Sequence, residues 1–295
     1  MKIFKKILYW FPVIFVGLLL LINAMSLLYP VIWGINASLK DTYDYVLFPN
    51  KLPDIYRWEN YKNILTNLHV DVITDKGLIR VGVLDMGINT LIWSIFSPLP
   101  SAIVTVLMAY VCALYRNAFT KGLYNLGIVL MCLVVVGTFP AEYSLYRQLG
   151  IYDNMFLMIL KGLGGGFSGF NFLLYYSIFR GIPKDYADAA KIDGAGRYEI
   201  MFFIYIPEII TTFLVFYVLG FLGAWNDYNT FLIYLPSYPN VSYGMYLYQY
   251  FAVINHASYP EILAGFFLVA APTAILYLLI DKKLVENLKV TGIKG

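Results

Sequence analysis

Charged residues are scarce in this 295-residue chain. Lysine and arginine together number 21, aspartate and glutamate number 18, and the charged fraction is 13%. A soluble domain normally carries about a quarter charged residues, so a free-standing soluble protein is excluded. The net charge of only +3 gives no reason to expect a nucleic acid partner. With 60% hydrophobic residues and a mean hydropathy of +0.68, the composition is typical of an integral membrane protein in contact with lipid.

Residues that commonly carry catalysis or bind metals are equally few. The two cysteines, Cys112 and Cys132, lie within apolar stretches, and the two histidines, His69 and His256, lie far apart. No CxxC or Cys/His spacing indicates a metal or redox site, and no cluster of carboxylates, histidines or cysteines suggests a membrane enzyme. The glycine-rich stretch 162–169 lacks the lysine of a phosphate-binding loop. We therefore expect no ATP hydrolysis and no metal or cofactor in this chain.

Long apolar runs dominate what remains. A helix that crosses a bilayer needs ~20 apolar residues, and runs of this length and uniformity favour helices over barrel strands. The sequence therefore predicts an all-α integral membrane protein with six transmembrane helices. They lie within residues 7–39, 88–115, 123–139, 154–179, 207–225 and 262–280. We expect the first to end near Pro30, Pro98 and Pro100 to kink the second, and the run 161–166 to break the fourth.

The N-terminus admits two interpretations. Basic residues within 1–6 followed by an apolar run also begin a secretory signal. The uncharged run 7–39 is much longer than the ~7–15-residue core of a signal. This length favours a retained first helix over a cleaved signal.

The placement of lysine and arginine predicts the orientation. With the N-terminus inside, most basic residues fall in short inner loops and tails, as the positive-inside rule requires. Both termini are then cytoplasmic. The chain divides into an N-terminal tail with the first helix (1–36), an extracytoplasmic loop (37–86), and a core of five helices with a cytoplasmic C-terminal tail (87–295). The loop, with a short helix expected over 58–68, either meets a soluble partner or merely caps the helix ends.

Residues 181–207 form the densest charged cluster between two membrane-length apolar stretches. Pro183 suits the first turn of a helix, and Gly194 suits the left-handed conformation that ends one. Asp193 is expected to cap the next helix, and Pro207 to mark re-entry into the membrane. The pattern predicts two short helices joined by a tight turn outside the bilayer, a form suited to docking into a groove on another protein.

The spacing of this segment resembles the EAA loop of ABC importer permeases. That pattern is Glu-Ala-Ala, three residues, Gly, nine residues, then Ile-x-Leu-Pro. Here Asp188-Ala189-Ala190 is followed by Gly194 and by Ile204-Tyr205-Ile206-Pro207, with Asp188 in place of the glutamate and Ile206 in place of the leucine. The resemblance implies a cytoplasmic coupling helix between transmembrane helices 4 and 5. The residues that it assigns to coupling with the ATPase are Asp188, Ala189, Ala190, Asp193, Gly194, Ala195, Ile204 and Pro207.

Further stretches are similar to the carbohydrate, maltose-permease-like branch of that family. They are Asn89-Thr90-Leu91, Ala109-Tyr110, Phe179–Pro183, Asp193-Gly194-Ala195, Gly223–Tyr228 and the C-terminal 291–295. The resemblance, which covers roughly residues 85–295, implies a permease subunit in the bacterial cytoplasmic membrane that imports a carbohydrate, with an amino acid, peptide or phosphate as the alternative cargo. It implies four partners, namely a second homologous permease, two ABC ATPase subunits and an extracytoplasmic sugar-binding protein. ATP and Mg²⁺ would bind to the ATPase subunits.

Polar residues near the ends of the predicted spans are candidates for the solute path. Such residues usually face a cavity or a neighbouring helix, because a polar group in hydrocarbon is costly. Asn171 and Ser168 follow the glycine run, and Trp225, Asn226 and Asp227 lie about 20 residues beyond Pro207. Amides, carboxylates and aromatic rings could match a sugar. Interfacial anchoring by Trp225 and close helix packing at the glycine run are the alternatives.

Overall fold

Helices make up most of the structure. This computed structural model describes residues 2–74, 77–115, 117–133, 137–166, 169–254 and 256–291, and only the backbone of 2–9, 74 and 280–291. Ser168 and the tail 292–295, both singled out above, lie outside the described residues. The helices are α1 (Lys2–Ser38), α2 (Thr42–Leu47), α3 (Glu59–Asn67), α4 (Val83–Phe96), α5 (Pro98–Leu114), α6 (Ala118–Cys132), α7 (Phe139–Gln148), α8 (Met155–Leu160), α9 (Phe170–Gly181), α10 (Lys184–Ile192), α11 (Arg197–Ile200), α12 (Ile206–Trp225), α13 (Asn229–Tyr234), α14 (Val241–Tyr250) and α15 (Tyr259–Thr291).

Four helical runs in the described residues are long and apolar enough to cross a membrane. They are Trp10–Ser38, Val83–Leu114, Arg197–Trp225 and Tyr259–Leu279. They correspond to the first, second, fifth and sixth predicted spans. The apolar side chains of the first run are exposed along its length, as expected for a surface that faces lipid.

The other two predicted spans take shorter forms. The expected helix at 123–139 is α6, which has 15 residues and a length of roughly 22 Å at 1.5 Å per residue. It begins five residues earlier than expected because Asn117 caps it, accepting a 2.8 Å hydrogen bond from the Thr120 N–H. The expected span 154–179 is broken at the glycine run, as the sequence indicated. There α8 gives way to a 3₁₀ turn at Lys161–Gly164, and α9 begins only at Phe170.

Proline has different effects in the first two spans. The first helix does not end near Pro30 as expected, but continues through it to Ser38, which membrane helices tolerate. In the second span, α4 ends at Phe96 and α5 begins at Pro98, where the missing proline N–H leaves no helical hydrogen bond unmade. The predicted kink is therefore an interruption at one residue.

A small antiparallel hairpin departs from the all-α prediction. Its strands, β1 (His69–Thr74) and β2 (Gly77–Gly82), pair in register from His69 with Gly82 to Thr74 with Gly77. Val70 and Val72 are buried, whereas Asp71 and Ile73 are exposed, and this alternation is typical of a half-buried strand. The short helix expected at 58–68 is α3.

The chain forms two compact units. One consists of residues up to 68 with 247–271, and the other of 69–246 with the residues from 272 onward. In the first unit Lys40 is fully buried, and its ammonium donates to the carbonyls of Phe48 and Pro49. These bonds fold the chain after α1 back on itself, because a buried ammonium requires hydrogen-bond acceptors.

The second unit contains the 181–207 segment and is held by close helix contacts. A Cβ on Gly166, where φ is +108°, would lie 2.9 Å from the Ser101 carbonyl oxygen on α5. A Cβ on Gly220 of α12 would lie 2.9 Å from the Cβ of Pro98. Glycine at both positions therefore allows backbones to approach closely, which is how membrane helices commonly pack.

Replacing Gly220 by alanine should destabilise the protein, because the added methyl group overlaps Pro98. Overpacking of this kind costs about 1–3 kcal/mol, which thermal unfolding in detergent should register as a lower melting temperature. Gly223→Ala in the same helix is the matched control, since nothing lies within 4 Å of its Cβ position. Equal melting temperatures for the two variants would contradict close packing at Gly220.

Candidate functional site

The 181–207 segment forms one of the two short helices that the sequence predicts, namely α10, whereas α11 is the start of a longer helical run. Helix α9 ends at Gly181, α10 begins at Lys184, and α11 begins at Arg197. Pro183 stands one position before α10, at its N-cap, where its extended backbone directs the chain into the helix. The sequence predicts Pro183 in the first turn of the helix, one residue later than the N-cap position that it occupies. An N-cap residue flanks the helix and does not have helical backbone angles itself.

A tight turn at Gly194 joins the two helices. The Gly194 N–H donates to the Lys191 carbonyl at 3.1 Å, and the Ala195 N–H donates to the Ala190 carbonyl at 2.9 Å. This pair of bonds is a Schellman motif, which satisfies the last carbonyls of a helix. It requires the left-handed φ of +87° found at Gly194, a conformation that glycine adopts without steric cost.

The second helix is capped differently from the prediction. Asp193 closes α10 rather than opening α11, because Gly194 and Ala195 separate it from the next helical turn. The N-cap of α11 is Gly196, whose N–H donates to the Glu199 carboxylate at 2.6 Å. Glutamate three residues into a helix commonly performs this role.

Helix α10 presents an outward stripe of residues. Asp185, Asp188, Ala189 and Ile192 are all exposed, and their spacing of i, i+3, i+4 and i+7 places them on one face of a helix. The Ile192 side chain is 87% exposed, although isoleucine is among the residues most often buried. This outer stripe has the pattern of anchors that a helix presents to a groove. Sequence reasoning did not single out Ile192, although its spacing from Asp185 was the available signal.

The opposite side of α10 packs against the helical core. Ala187 is buried in one cluster with Tyr110 of α5, Phe179 of α9 and Tyr205. The centroids of these three rings lie 5.5–6.2 Å apart in edge-to-face pairs, a favoured aromatic geometry. Small side chains on α10 allow this close packing.

The remaining predicted residues divide between surface and core. Ala190, Ala195 and Ile204 are partly buried against the same cluster. Asp188, Ala189, Asp193, Gly194 and Pro207 are exposed. Of the eight residues that the resemblance assigns to coupling, five are therefore exposed and three are partly buried in the core.

An exposed ion pair orients Asp188. Its carboxylate accepts a 2.8 Å hydrogen bond from the Lys191 ammonium. This bond, followed by the charge of Lys191, lowers the pKa of Asp188 below its usual range, so the carboxylate is ionised at neutral pH. An exposed pair of this kind adds little stability. Its effect is to hold the Asp188 carboxylate beside Lys191, one turn farther along α10.

The second predicted short helix is not separate from the fifth span, which corrects that part of the prediction. The chain is helical without interruption from Arg197 to Trp225, with a π-helical turn at Met201–Tyr205 just before the proline. There the Ile206 N–H reaches the Met201 carbonyl. A single π turn shifts the hydrogen-bond register, and this shift accommodates a residue that has no N–H.

The solute-path candidates fall in two separate places. Asn171 is exposed in the first turn of α9. Helices α9 and α12 meet where Tyr175 packs on Phe216, nine residues before Trp225. At 1.5 Å per residue, Trp225 is therefore roughly 14 Å farther along α12 than that contact.

The polar groups around Trp225 make local hydrogen bonds. The Asn226 amide donates to the Leu222 carbonyl at 2.9 Å, and the Asp227 carboxylate accepts from the Thr230 N–H at 3.0 Å. Trp225 itself is buried. The side-chain NH₂ of Asn226 and one carboxylate oxygen of Asp227 are therefore engaged within the chain. The Asn226 side chain is nevertheless exposed.

Residues 239–243 link two stretches that the sequence places far apart. The Asn89 amide donates to the Pro239 carbonyl at 2.9 Å, and the Val241 N–H donates to the Thr90 hydroxyl at 3.0 Å. Asn240 is fully buried, and its amide donates to the Asp227 carbonyl at 2.9 Å. The sequence did not predict these hydrogen bonds, because no residue near Asn240 in the chain indicates its partners.

The described residues contain no group of three or more histidines, cysteines, aspartates or glutamates that could hold a metal ion. The 181–207 segment presents one exposed helix, α10, which packs on an aromatic cluster.

Residues 72–283 match a family model described as binding-protein-dependent transport system inner membrane component. The chain is similar to the galactooligosaccharides transport system permease protein of Bacillus subtilis (strain 168), with 24% identity over 290 residues and 98% coverage of both chains.

Two solved structures share its fold. One is a bacterial ABC transporter involved in the import of the acidic polysaccharide alginate, with a TM-score of 0.70, 23% identity, and coverage of 91% of this chain and 95% of that one. The other is a bacterial alginate ABC transporter in complex with alginate pentasaccharide-bound periplasmic protein. It has a TM-score of 0.60, 17% identity, and coverage of 95% of this chain and 96% of that one.

The turn at Gly194 should tolerate asparagine but not valine. A left-handed conformation costs most L-residues roughly 1–2 kcal/mol, while asparagine adopts it more readily. Backbone amides of 184–196 in Gly194→Val should therefore exchange with deuterium roughly 5- to 30-fold faster than in the parent, and those of Gly194→Asn at nearly the parent rate. Gly196→Ala is the control, because φ is −72° there. Unchanged protection in Gly194→Val would disprove the requirement.

Proposed function

Because the chain belongs to the family of binding-protein-dependent transport system inner membrane components, we propose that it is the membrane-spanning permease subunit of an ABC importer for a carbohydrate. The 181–207 segment is its contact with a separate ATPase. One observation carries this proposal, namely the outer stripe of α10, which is exposed and partly apolar on a helix whose opposite side packs on the helical core. ATP and Mg²⁺ belong to the ATPase subunits, and this chain contributes no chemistry of its own.

The proposed cargo follows from the relatives. One relative carries galactooligosaccharides by its name, and the two similar structures concern alginate. All three are carbohydrates of more than one sugar unit, so an oligosaccharide is the cargo that we favour. One alginate transporter was solved with a periplasmic protein, which supports an extracytoplasmic binding protein as the source of the sugar for this chain as well.

Six membrane crossings with both termini in the cytoplasm remain our proposed topology. The four long helical runs provide four crossings. Helix α6 and the broken pair α8 and α9 are the candidates for the other two, since α6 and Met155–Gly164 are also apolar. The positive-inside rule supports the orientation, which places α10 in the cytoplasm. A second permease subunit would cover the apolar surfaces that one chain leaves exposed.

The proposed mechanism transmits movement through the aromatic cluster. ATP binding would draw two ATPase subunits together and shift α10. Because Ala187 packs with Tyr110, Phe179 and Tyr205, that shift would reach α5, α9 and the π turn that leads into α12. Sugar and nucleotide are then coupled through one equilibrium between inward-open and outward-open states.

Asn171, Trp225, Asn226 and Asp227 remain our candidates for the solute path. Exposure of Asn171 and Asn226 supports direct contact with solute. Trp225 is buried and Asp227 is partly engaged by Thr230, so we assign these two the role of holding Asn226 in place.

Replacing Ile192 by aspartate should strongly reduce capture of the ATPase subunit. The substitution removes an apolar anchor and would bury a charge in the docking groove. Such anchors contribute about 2 kcal/mol or more to the binding free energy, so the affinity for the ATPase should fall roughly 30-fold. Co-purification of the ATPase with the tagged chain measures this. Ile73→Asp on the β hairpin is the matched control, because Ile73 is 82% exposed. Equal recovery of ATPase with both variants would rule out docking through α10.

The cargo is tested by reconstituting the complex with its binding protein and measuring ATP hydrolysis. Oligosaccharides should stimulate hydrolysis, whereas amino acids, peptides and phosphate should not. The binding protein alone, tested with the same solutes by calorimetry, controls for defects in the membrane part. Stimulation by a peptide or an amino acid, without stimulation by any oligosaccharide, would overturn the carbohydrate assignment.

A further inference from the structure

A polar cavity of about 460 Å³ lies beside α10, and Asp188 of the outer stripe borders it. Its charged lining residues all come from the 181–207 segment, and tyrosines and three apolar residues (Leu114, Ala187 and Ile200) line the rest. The lining includes Lys184, Asp188, Lys191, Arg197, Tyr110, Tyr115 and Tyr205. Three cations and one carboxylate give this polar cavity an excess of positive charge.

Two of the cations in the polar cavity are free to bind an anion. Asp188 and Lys191 neutralise each other at 2.8 Å. In the part of the chain that the structure describes, neither Lys184 nor Arg197 lies within 4 Å of a carboxylate. A guanidinium and an ammonium beside hydroxyl groups match a phosphate, which arginine binds with two parallel hydrogen bonds.

An apolar cavity of about 580 Å³ adjoins the polar one. Three residues, Tyr110, Tyr115 and Arg197, line both cavities. Most of the remaining lining of the apolar cavity is hydrocarbon, from Leu107, Val111, Phe119 and Met201 among others. A ligand that fills both cavities needs an anionic head and an apolar chain.

The two cavities lie at the ends of membrane-spanning helices. Leu114 ends one candidate span and Arg197 begins another, and both border the polar cavity. Tyrosines gather at the membrane–water interface, and basic pockets between helices at the cytoplasmic face bind anionic lipid head groups.

We propose that the two cavities bind one anionic phospholipid, with its phosphate on Lys184 and Arg197 and an acyl chain against Leu107, Val111 and Met201. The assignment to the inner leaflet rests on the proposed function, which places α10 in the cytoplasm. A free phosphate compound shares the same head-group chemistry, but it would leave the apolar cavity unfilled. Because Lys184 belongs to α10, the bound lipid would steady the helix that carries the outer stripe.

The test uses the assembled complex in nanodiscs of phosphatidylcholine with and without phosphatidylglycerol. Native mass spectrometry counts the phosphatidylglycerol that the complex retains and titrates its affinity. The double variant Lys184→Gln/Arg197→Gln should bind phosphatidylglycerol roughly thirtyfold more weakly, equivalent to about 2 kcal/mol for two basic residues near the membrane surface. Lys121→Gln, an exposed cation that lines neither cavity, is the matched control and should bind as the parent does.

A second variant tests the proposal independently, in case the double variant does not fold. Val111→Phe fills the apolar cavity while leaving both cations in place, and it should also lose tightly held phosphatidylglycerol. Equal retention by the parent and both variants would overturn the proposal. Binding of inorganic phosphate in pure phosphatidylcholine, dependent on Lys184 and Arg197 and not displaced by phosphatidylglycerol, would overturn the lipid assignment in favour of a soluble anion. These readouts need no transport, so failure here is distinct from failure of sugar-stimulated ATP hydrolysis.

Discussion

The requirement that buried backbone groups be paired governs this chain, because a membrane interior offers no water to bond them. Most of the chain satisfies it with long helices. The interruptions occur where a neighbour packs closely against the backbone. The break before Pro98 is covered by Gly220 of α12, and the glycine run by α5 at Ser101. The π turn before Pro207 meets the same requirement within one helix.

The 181–207 segment joins two kinds of surface on one short helix. Its outer stripe faces away from the protein, and its inner face packs on aromatic rings from two other helices. A helix free on both sides would move without consequence, and one packed on both sides could not receive a partner. We propose that this division between exposed Ile192 and buried Ala187 allows the segment to pass movement from one protein to another.

Much of this organisation was predictable from local sequence. The Schellman turn follows from glycine at 194, the interruption of the second span from Pro98, and the broken fourth span from the run 161–166. The β hairpin was missed because the two strands are short and lie beside long apolar runs. The course of the helix through Pro207 was missed because a proline signals a break, whereas the preceding π turn depends on geometry that no single residue specifies.

The membrane environment, the helical class and the position of the segment that resembles a coupling loop follow from the sequence alone, because hydropathy, proline and glycine act locally. The free face of α10, the link that residues 239–241 make between Asp227 and the start of the second span, and the cavity that Lys184 and Arg197 share with Tyr110 and Tyr115 follow only from the fold. They depend on contacts between residues far apart in the chain, such as Asn89 and Pro239, which are 150 positions apart, and such contacts arise from packing rather than from any local pattern.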